Sequence, residues 1–181
     1  TCNLTCADIK PKNELINKID ATNKKEIENF LYIERPDIVI DTIALSSYFE
    51  CENNPKLCRQ LNYNSAKYIT EVCKKIDAKM IFISSSYIFN GEKGNYLETD
   101  IPNSLTKYAE SKIDAENKVL ELDNSIIIRS EPMYGFDNVK NQIMFGTNTF
   151  ENEVKIGFPN LLRKPLFIDD IPPIISCLIN K

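Results

Sequence analysis

The sequence predicts an α/β fold of the Rossmann type, with a doubly wound parallel sheet and helices on both of its faces. Two buried strand patterns, 37–45 (DIVIDTIAL) and 78–86 (AKMIFISSS), are separated by an amphipathic helix pattern. A third apolar run, 125–130 (SIIIRS), follows another helix pattern. Strands that alternate with helices at this spacing are typical of βαβ units and a parallel sheet. At 181 residues, without repeats or a linker, residues 1–181 are predicted to form a single domain.

Two helices are predicted in the first half of the chain. Residues 23–34 begin with an asparagine cap, Glu26 follows three residues later, and the apolar side chains share one face. Pro36 ends this helix because the residue before a proline disfavours helical backbone. A second helix begins at Asn54-Pro55, which offers a cap and an N1 proline. Its apolar stripe consists of Leu57, Leu61, Ile69, Val72 and Cys73.

The second half combines one clear helix with less regular segments. A loop rich in Asn, Gly and Pro covers 90–105, and the helix that carries Tyr108 follows it. Further along, the patterns predict a helix near 138–146, a strand over 153–158 (EVKIGF) and a helix over 169–180. Paired prolines suit the first turn of that last helix, and its two leading aspartates complement the helix dipole.

Charge and hydropathy exclude several classes of protein. The net charge of −4 argues against a nucleic-acid-binding protein, which usually has a basic face. No apolar run approaches the roughly 18 residues of a membrane span, and no secretory signal pattern opens the chain. The six cysteines include no C-x-x-C pair, so we expect reduced and mostly buried thiols, no metal site, and a cytoplasmic location.

The sequence contains no histidine. This absence excludes Ser-His-Asp hydrolysis, Cys-His nucleophiles, most zinc sites and acid–base catalysis by imidazole. Any proton transfer must therefore use Tyr, Lys, Asp, Glu or Cys.

Two tyrosine–lysine pairs have the spacing that places both side chains on one helical face. Tyr108 and Lys112 form one pair, and Tyr63 and Lys67 form the other. A pair of this kind is either a phenol held beside an ammonium for proton transfer or two solvated side chains. Spacing alone does not decide between them.

Ser85 distinguishes the first pair from the second. It stands at the carboxyl end of the 78–86 strand, where ligands bind in open α/β sheets. Tyr108 begins a helix 23 residues later, after a loop that can fold back over the sheet. A hydroxyl, a phenol and an ammonium could therefore converge, and a nearby cation would lower the high pKa of the phenol. No serine-ended strand precedes Tyr63 at such a distance, so we assign that pair to the surface.

These segments resemble the extended short-chain dehydrogenase/reductase family, and within it the dTDP-4-dehydrorhamnose reductases. The resemblance runs nearly end to end, through RPDIVIDTIAL, ECENNPKLCRQLNYNSAKYI, ISSSYIFNGEKGNYLETDIPNSLTKYAESK, IIIRSEPMYG and RKPLFIDDI. It implies an NAD(P)H-dependent reductase of a 4-keto-6-deoxy sugar nucleotide that uses NADP or NAD. The alternatives are a sugar-nucleotide epimerase or dehydratase of the same family, and a non-catalytic regulatory subunit like the β subunit of methionine adenosyltransferase. A homodimer is among the assemblies that the resemblance suggests.

Position by position, the resemblance assigns roles to seven residues. Tyr108 would protonate the keto oxygen, Lys112 would contact the cofactor ribose and lower the pKa of Tyr108, and Ser85 would hold the substrate carbonyl. The cofactor-binding set would comprise Asp20, Ala21, Ala44 and Ser130 together with Tyr108 and Lys112. Asn62 stands at the asparagine of the family.

The sequence also departs from the family pattern. The glycine-rich phosphate loop and the first strand are absent, since no glycine precedes Gly91. Ser86 and Phe49 stand where the family usually has aspartates, and the C-terminal substrate-binding segment looks short. We expect residues before Thr1 to carry the missing loop and strand, which would leave a gap beside the 37–45 strand. The alternative is that residues 1–7 fill that gap.

Overall fold

The computed structural model describes residues 3–103, 105–137, 142–145, 148–149 and 164–179. The chain divides into two compact units, Thr1–Arg129 and Ser130–Lys181, where the sequence predicts one domain. The boundary falls within a strand, so no linker composition marks it in the sequence.

The first unit contains two sets of parallel strands. Strand β1 (Cys6–Asp8) pairs with β2 (Ile16–Lys18). Strands β3 (Ile38–Asp41), β4 (Lys79–Ser85) and β5 (Ser125–Ser130) form a sheet in that order, with β3 and β4 parallel. Among the described strands, β4 is the only one that pairs with β3. The expected gap beside the 37–45 strand is therefore present, and residues 6–8 pair with β2 instead of filling it.

Strand β3 is shorter and less buried than the sequence predicts. The pattern predicts a fully buried strand over 37–45, but β3 ends at Asp41 and Ile40 is 38% exposed. Among the described strands, β3 pairs with β4 alone and so forms an edge of this sheet. Strand β4 has partners on both sides, and its residues Met80, Ile81 and Phe82 are completely buried, as predicted.

The first predicted helix forms with its predicted cap. Helix α1 (Lys24–Glu34) is capped by Asn23, whose side chain accepts a hydrogen bond from the Lys25 N–H group. The Glu26 carboxylate reaches back to the Asn23 side chain and to the Asp20 N–H group, each at 2.8 Å. The helix ends at Arg35, which adopts a left-handed conformation (φ 42°) immediately before Pro36.

The second predicted helix consists of several segments. A short helix α2 (Tyr48–Asn53), which the sequence did not predict, precedes α3 (Pro55–Arg59). A π-helical turn over 60–64 then leads into α4 (Ser65–Ile76). Such turns are rare and occur frequently at functional sites. As predicted, the Asn54 side chain caps α3 and Pro55 occupies its first turn.

Helix α5 (Lys107–Val119) covers β4 together with α4 and α1. Its N-cap is Thr106, whose hydroxyl accepts a hydrogen bond from the Ala109 N–H group at 3.0 Å. Buried side chains from the three helices and from β4 form one hydrophobic core, which includes Ile27, Leu31, Ile69, Val72, Cys73, Met80, Phe82, Ala115 and Val119.

The second unit has its own sheet. Strands β6 (Met133–Asp137) and β7 (Gln142–Phe145) are antiparallel, and β8 (Asn148–Thr149) and β9 (Leu166–Phe167) extend the sheet in the order β8-β7-β6-β9. The predicted helix near 138–146 is wrong at 142–145, where pairing with β6 favours a strand. Short apolar runs do not distinguish the two forms by periodicity. The predicted strand over 153–158 lies outside the described residues.

The chain ends as predicted, in a helix with prolines in its first turn. A 3₁₀ turn over Ile168–Asp170 leads into α6 (Ile171–Ile179). No helix in the described ranges is long and apolar enough to span a membrane. The five described cysteines are free thiols, and Cys51, Cys58 and Cys73 are buried.

Candidate functional site

Ser85 and Tyr108 meet at the carboxyl end of β4. Ser85 is the last residue of the strand, is only 7% exposed, and accepts a hydrogen bond from the Tyr87 N–H group at 3.2 Å. Its side chain is also hydrogen-bonded to the Tyr108 phenol. Among the consecutive residues Ser84, Ser85 and Ser86, the contact with the phenol is thus made by Ser85.

The Tyr108 ring is placed by the first turn of α5 and by an aromatic neighbour. It packs edge-on against Tyr87, with ring centroids 6.4 Å apart. Burial raises the pKa of Tyr108 above its ordinary value, and the hydrogen bond with Ser85 opposes that rise. The phenol therefore stays protonated at neutral pH, which is the state that a proton donor requires.

Lys112 lies one helical turn after Tyr108 and is almost completely buried. Its ammonium donates a hydrogen bond to the Ile83 carbonyl at 2.7 Å and lies 4.1 Å from the centroid of the Phe82 ring. Burial lowers the pKa of Lys112 to about 8, although Asp41 and Glu116 oppose that shift. The resemblance implies that Lys112 lowers the pKa of Tyr108. In this structure burial dominates, and the pKa of the phenol is raised.

The second tyrosine–lysine pair has a different environment. The Arg59 guanidinium covers the Tyr63 ring at 4.2 Å, and the Lys67 ammonium lies 3.9 Å from the Glu71 carboxylate. The two pairs thus share a spacing but differ in their surroundings, as the position of Ser85 predicts.

Asn62 fixes the loop after β3 to α5. Its side-chain oxygen accepts a hydrogen bond from the Leu45 N–H group at 2.7 Å, and its amide donates to the Leu45 carbonyl at 3.2 Å and to the Ser111 hydroxyl at 3.0 Å. Ser111 in turn donates to the Tyr108 carbonyl at 2.6 Å. A fully buried asparagine in the π-helical turn therefore connects the loop to the helix turn that carries the phenol.

Replacing Asn62 by alanine is expected to lower the free energy of unfolding by about 1–3 kcal/mol. The substitution leaves the Leu45 N–H group and the buried Ser111 hydroxyl without the Asn62 side chain. Urea denaturation measures this loss. Asn117→Ala, on an exposed face of α5, is the control and should change stability by no more than about 0.5 kcal/mol. Equal effects of the two changes would contradict the role of Asn62.

One residue near the site was not singled out from the sequence. Asp41 ends β3, and its side chain is buried with 2% exposure. A carboxylate within an otherwise apolar strand pattern is the signal that identifies it, because a buried acid needs a partner.

The residues predicted to bind a cofactor have mixed environments. One Asp20 carboxylate oxygen accepts hydrogen bonds from the N–H group and the hydroxyl of Thr22, so it shapes the turn before α1. Ala21 is half-buried, and Ala44 is exposed in the loop after β3. Ser130 ends β5 and is the first residue of the second unit. Cofactor contact by these four residues stays a prediction.

Comparison with known proteins identifies relatives along nearly the whole chain. The RmlD substrate binding domain model matches residues 6–156. Subunit beta of methionine adenosyltransferase 2 from Bos taurus is 30% identical over 177 residues, which cover 95% of this chain and 52% of the relative. A dTDP-4-dehydrorhamnose reductase from Aggregatibacter actinomycetemcomitans is 28% identical over 170 residues, which cover 91% of this chain and 57% of the relative.

A solved structure supports the fold. The dTDP-4-dehydrorhamnose reductase from Bacillus anthracis, in complex with NADP, aligns with a TM-score of 0.74 at 24% identity, over 90% of this chain and 59% of that one. The Rossmann-type α/β fold is therefore confirmed. The chain spans about half the length of the curated relatives that it matches. It belongs to the RmlD substrate binding domain family, as the resemblance to the dTDP-4-dehydrorhamnose reductases among the extended short-chain dehydrogenases/reductases predicts.

Proposed function

We propose that this protein is an NAD(P)H-dependent reductase of a 4-keto-6-deoxy sugar nucleotide. The observation that carries the proposal is the hydrogen bond between Ser85 and the protonated Tyr108 phenol, with the Lys112 ammonium one turn further along α5. These groups provide acid catalysis in a chain that has no histidine.

The two hydroxyl groups can act on a single carbonyl oxygen. Because Ser85 and Tyr108 already lie within hydrogen-bond distance of each other, both can donate to an oxygen placed beside them. Ser85 would orient the keto group, and Tyr108 would transfer its proton to the oxygen as negative charge develops there. The raised pKa of the phenol keeps that proton in place until the substrate is bound.

The residues near Lys112 fit the nicotinamide–ribose end of the cofactor. The ammonium has three N–H groups, of which one is donated to the Ile83 carbonyl, so two can bind ribose hydroxyls. When bound, the reduced nicotinamide would supply the hydride for the keto carbon. The B. anthracis relative with the same fold was solved with NADP. The first glycine of this sequence is Gly91, so residues 1–90 contain no glycine-rich loop for the pyrophosphate.

The proposal is tested by measuring the oxidation of NADPH by the purified full chain in the presence of a dTDP-4-keto-6-deoxy sugar. We expect turnover that depends on both substrates. Lys112→Met should weaken NADPH binding, whereas Lys67→Met, at the equivalent position of the surface pair, should leave it unchanged. Absence of NADPH binding and of turnover would reject the proposal.

A regulatory role is the second candidate, and the relatives named methionine adenosyltransferase 2 subunit beta favour it. Two residues agree with this role. Phe49 is an aromatic side chain with 73% exposure on α2, and both Phe49 and Ser86 stand where the resemblance places aspartates in the family. Specific binding to a methionine adenosyltransferase catalytic chain, together with no turnover of keto sugars, would support this candidate over the reductase.

A further inference from the structure

Asp41 has one satisfied and one unsatisfied carboxylate oxygen. Its Oδ1 atom accepts a hydrogen bond from the Ile43 N–H group at 2.9 Å. Its Oδ2 atom is buried and has no hydrogen-bond donor among the described residues. A buried carboxylate oxygen without a donor is costly, so its charge must be balanced by a nearby cation or lost by protonation.

The sheet register places the Asp41 side chain on the face of the sheet against which the Lys112 ammonium packs. Asp41 is paired with Phe82 across β3 and β4, and paired residues point to the same face of a sheet. That face is covered by α4 and α5, because Phe82 is part of the core that these helices form. The Lys112 ammonium rests on the same Phe82 ring, 4.1 Å from its centroid. Asp41 and Lys112 therefore share one aromatic neighbour, Phe82.

The other charged group near Lys112 is already paired. Glu116 follows Lys112 by one turn of α5, and the Arg129 guanidinium binds both of its carboxylate oxygens, at 3.2 and 2.8 Å. The remaining titratable neighbours are the thiols of Cys58 beside Lys112 and Cys73 beside Asp41. Burial raises the pKa of Cys73 to about 12, so this thiol is neutral at physiological pH. Of the two carboxylates near Lys112, Asp41 is thus the one that has no other cationic partner among the described residues.

We propose that Asp41 is the counter-ion of Lys112 and a positioning residue for the reaction proposed above. Its carboxylate keeps the buried ammonium charged and holds it against the ends of β3 and β4, where the cofactor ribose would bind. The role of Asp41 in the reaction rests on the proposed function, whereas the ion pair between Asp41 and Lys112 does not.

The pair defines a pH range in which both partners are charged. Burial raises the pKa of Asp41 to about 6, and burial lowers the pKa of Lys112 to about 8. Below the first value Asp41 is protonated, and above the second Lys112 is neutral. Because the pKa of Lys112 is lower than in the unfolded chain, its protonation opposes folding below about pH 8, and this cost is relieved as the pH rises from there toward 10.5.

NMR titration of the Lys112 side chain tests the pair without any measurement of activity. In Asp41→Asn, which keeps an acceptor for the Ile43 N–H group, the pKa of Lys112 should fall by about 1–3 units. Asp114→Asn is the matched control, since Asp114 lies on the same helix but pairs with Arg59 at the surface. It should leave the titration of Lys112 unchanged. An unaltered Lys112 titration in Asp41→Asn, or an equal shift in Asp114→Asn, would overturn the proposal.

A reciprocal experiment covers the case in which Asp41→Asn does not fold. In Lys112→Met, the pKa of the Asp41 carboxyl should rise further, and no rise would overturn the proposal. If the chain turns over a keto sugar, Asp41→Asn should also move the alkaline limit of the rate to lower pH. If the chain does not turn over a keto sugar, the reductase proposal fails, while the two titrations still decide whether Asp41 and Lys112 form an ion pair.

Discussion

Replacing Tyr108 by phenylalanine is expected to lower the keto-sugar reductase rate by about 10²–10⁴-fold, the usual contribution of a positioned proton donor. The substitution removes the phenolic oxygen that is hydrogen-bonded to Ser85 and leaves the ring in contact with Tyr87. The Lys112 ammonium keeps its bond to the Ile83 carbonyl, so affinity for NADPH should change by no more than a few-fold. Steady-state rates and the NADPH dissociation constant measure the two effects separately.

The control for this substitution is Tyr63→Phe. Tyr63 has the same spacing from a lysine, but its ring lies beneath the Arg59 guanidinium. Its replacement should leave the rate nearly unchanged. If Tyr108→Phe retained more than about a tenth of the wild-type rate, or if both variants lost activity equally, Tyr108 would not be the proton donor.

The convergence of Ser85 and Tyr108 could be predicted because it follows from local rules. Ser85 ends a strand whose continuous apolar pattern is unambiguous, and ligand sites lie at such ends. Tyr108 and Lys112 share a helical face whatever the tertiary structure is. The same rules could not predict where the ammonium would point. The Lys112 ammonium donates to a backbone carbonyl in β4, and burial raises the pKa of the Tyr108 phenol. Both results depend on tertiary packing, which the periodicity of a sequence does not reveal.

Predictions that depended on neighbouring strands were less accurate. The 37–45 strand was expected to be buried on both faces, but β3 ends at Asp41 and pairs with β4 alone among the strands that the structure describes. Residues 142–145 form a strand through antiparallel pairing with β6, a long-range contact that a short apolar run does not specify. The role of Asp41 also depends on register, since its relation to Lys112 is defined by its pairing with Phe82.

The largest expected loss of stability follows from replacing Arg129 by methionine. Arg129 is the last residue of β5 that belongs to the first unit. It binds the Glu116 carboxylate through two nitrogens. The Glu116 side chain is only 3% exposed. Breaking a buried ion pair by removing one partner leaves an uncompensated charge, which typically costs about 3–5 kcal/mol. Methionine retains much of the length and apolar volume of arginine, so the loss reports mainly the charge and its hydrogen bonds.

Arg129 also connects the sheet to the segment before α5. Its guanidinium donates to the Glu98 carbonyl at 3.0 Å and lies 5.5 Å from the centroid of the Phe89 ring. The residue therefore joins α5, β5 and the 90–105 loop at one point. Its removal should destabilise the first unit and also increase hydrogen exchange in that loop.

Equilibrium urea denaturation of Arg129→Met, compared with Arg59→Met, tests this prediction. Arg59 forms an ion pair with Asp114, but the two side chains are 53% and 43% exposed, and exposed pairs contribute about 1 kcal/mol or less. Each variant loses one arginine from a single ion pair, so the difference reports the burial of the Arg129–Glu116 pair together with the contacts of Arg129 to Glu98 and Phe89. Similar losses in both would mean that water reaches Glu116 when Arg129 is absent. In that case Glu116 would tolerate the loss of Arg129. It would then count as a second negative charge near Lys112, and Asp41 would no longer be the one carboxylate assigned to that ammonium.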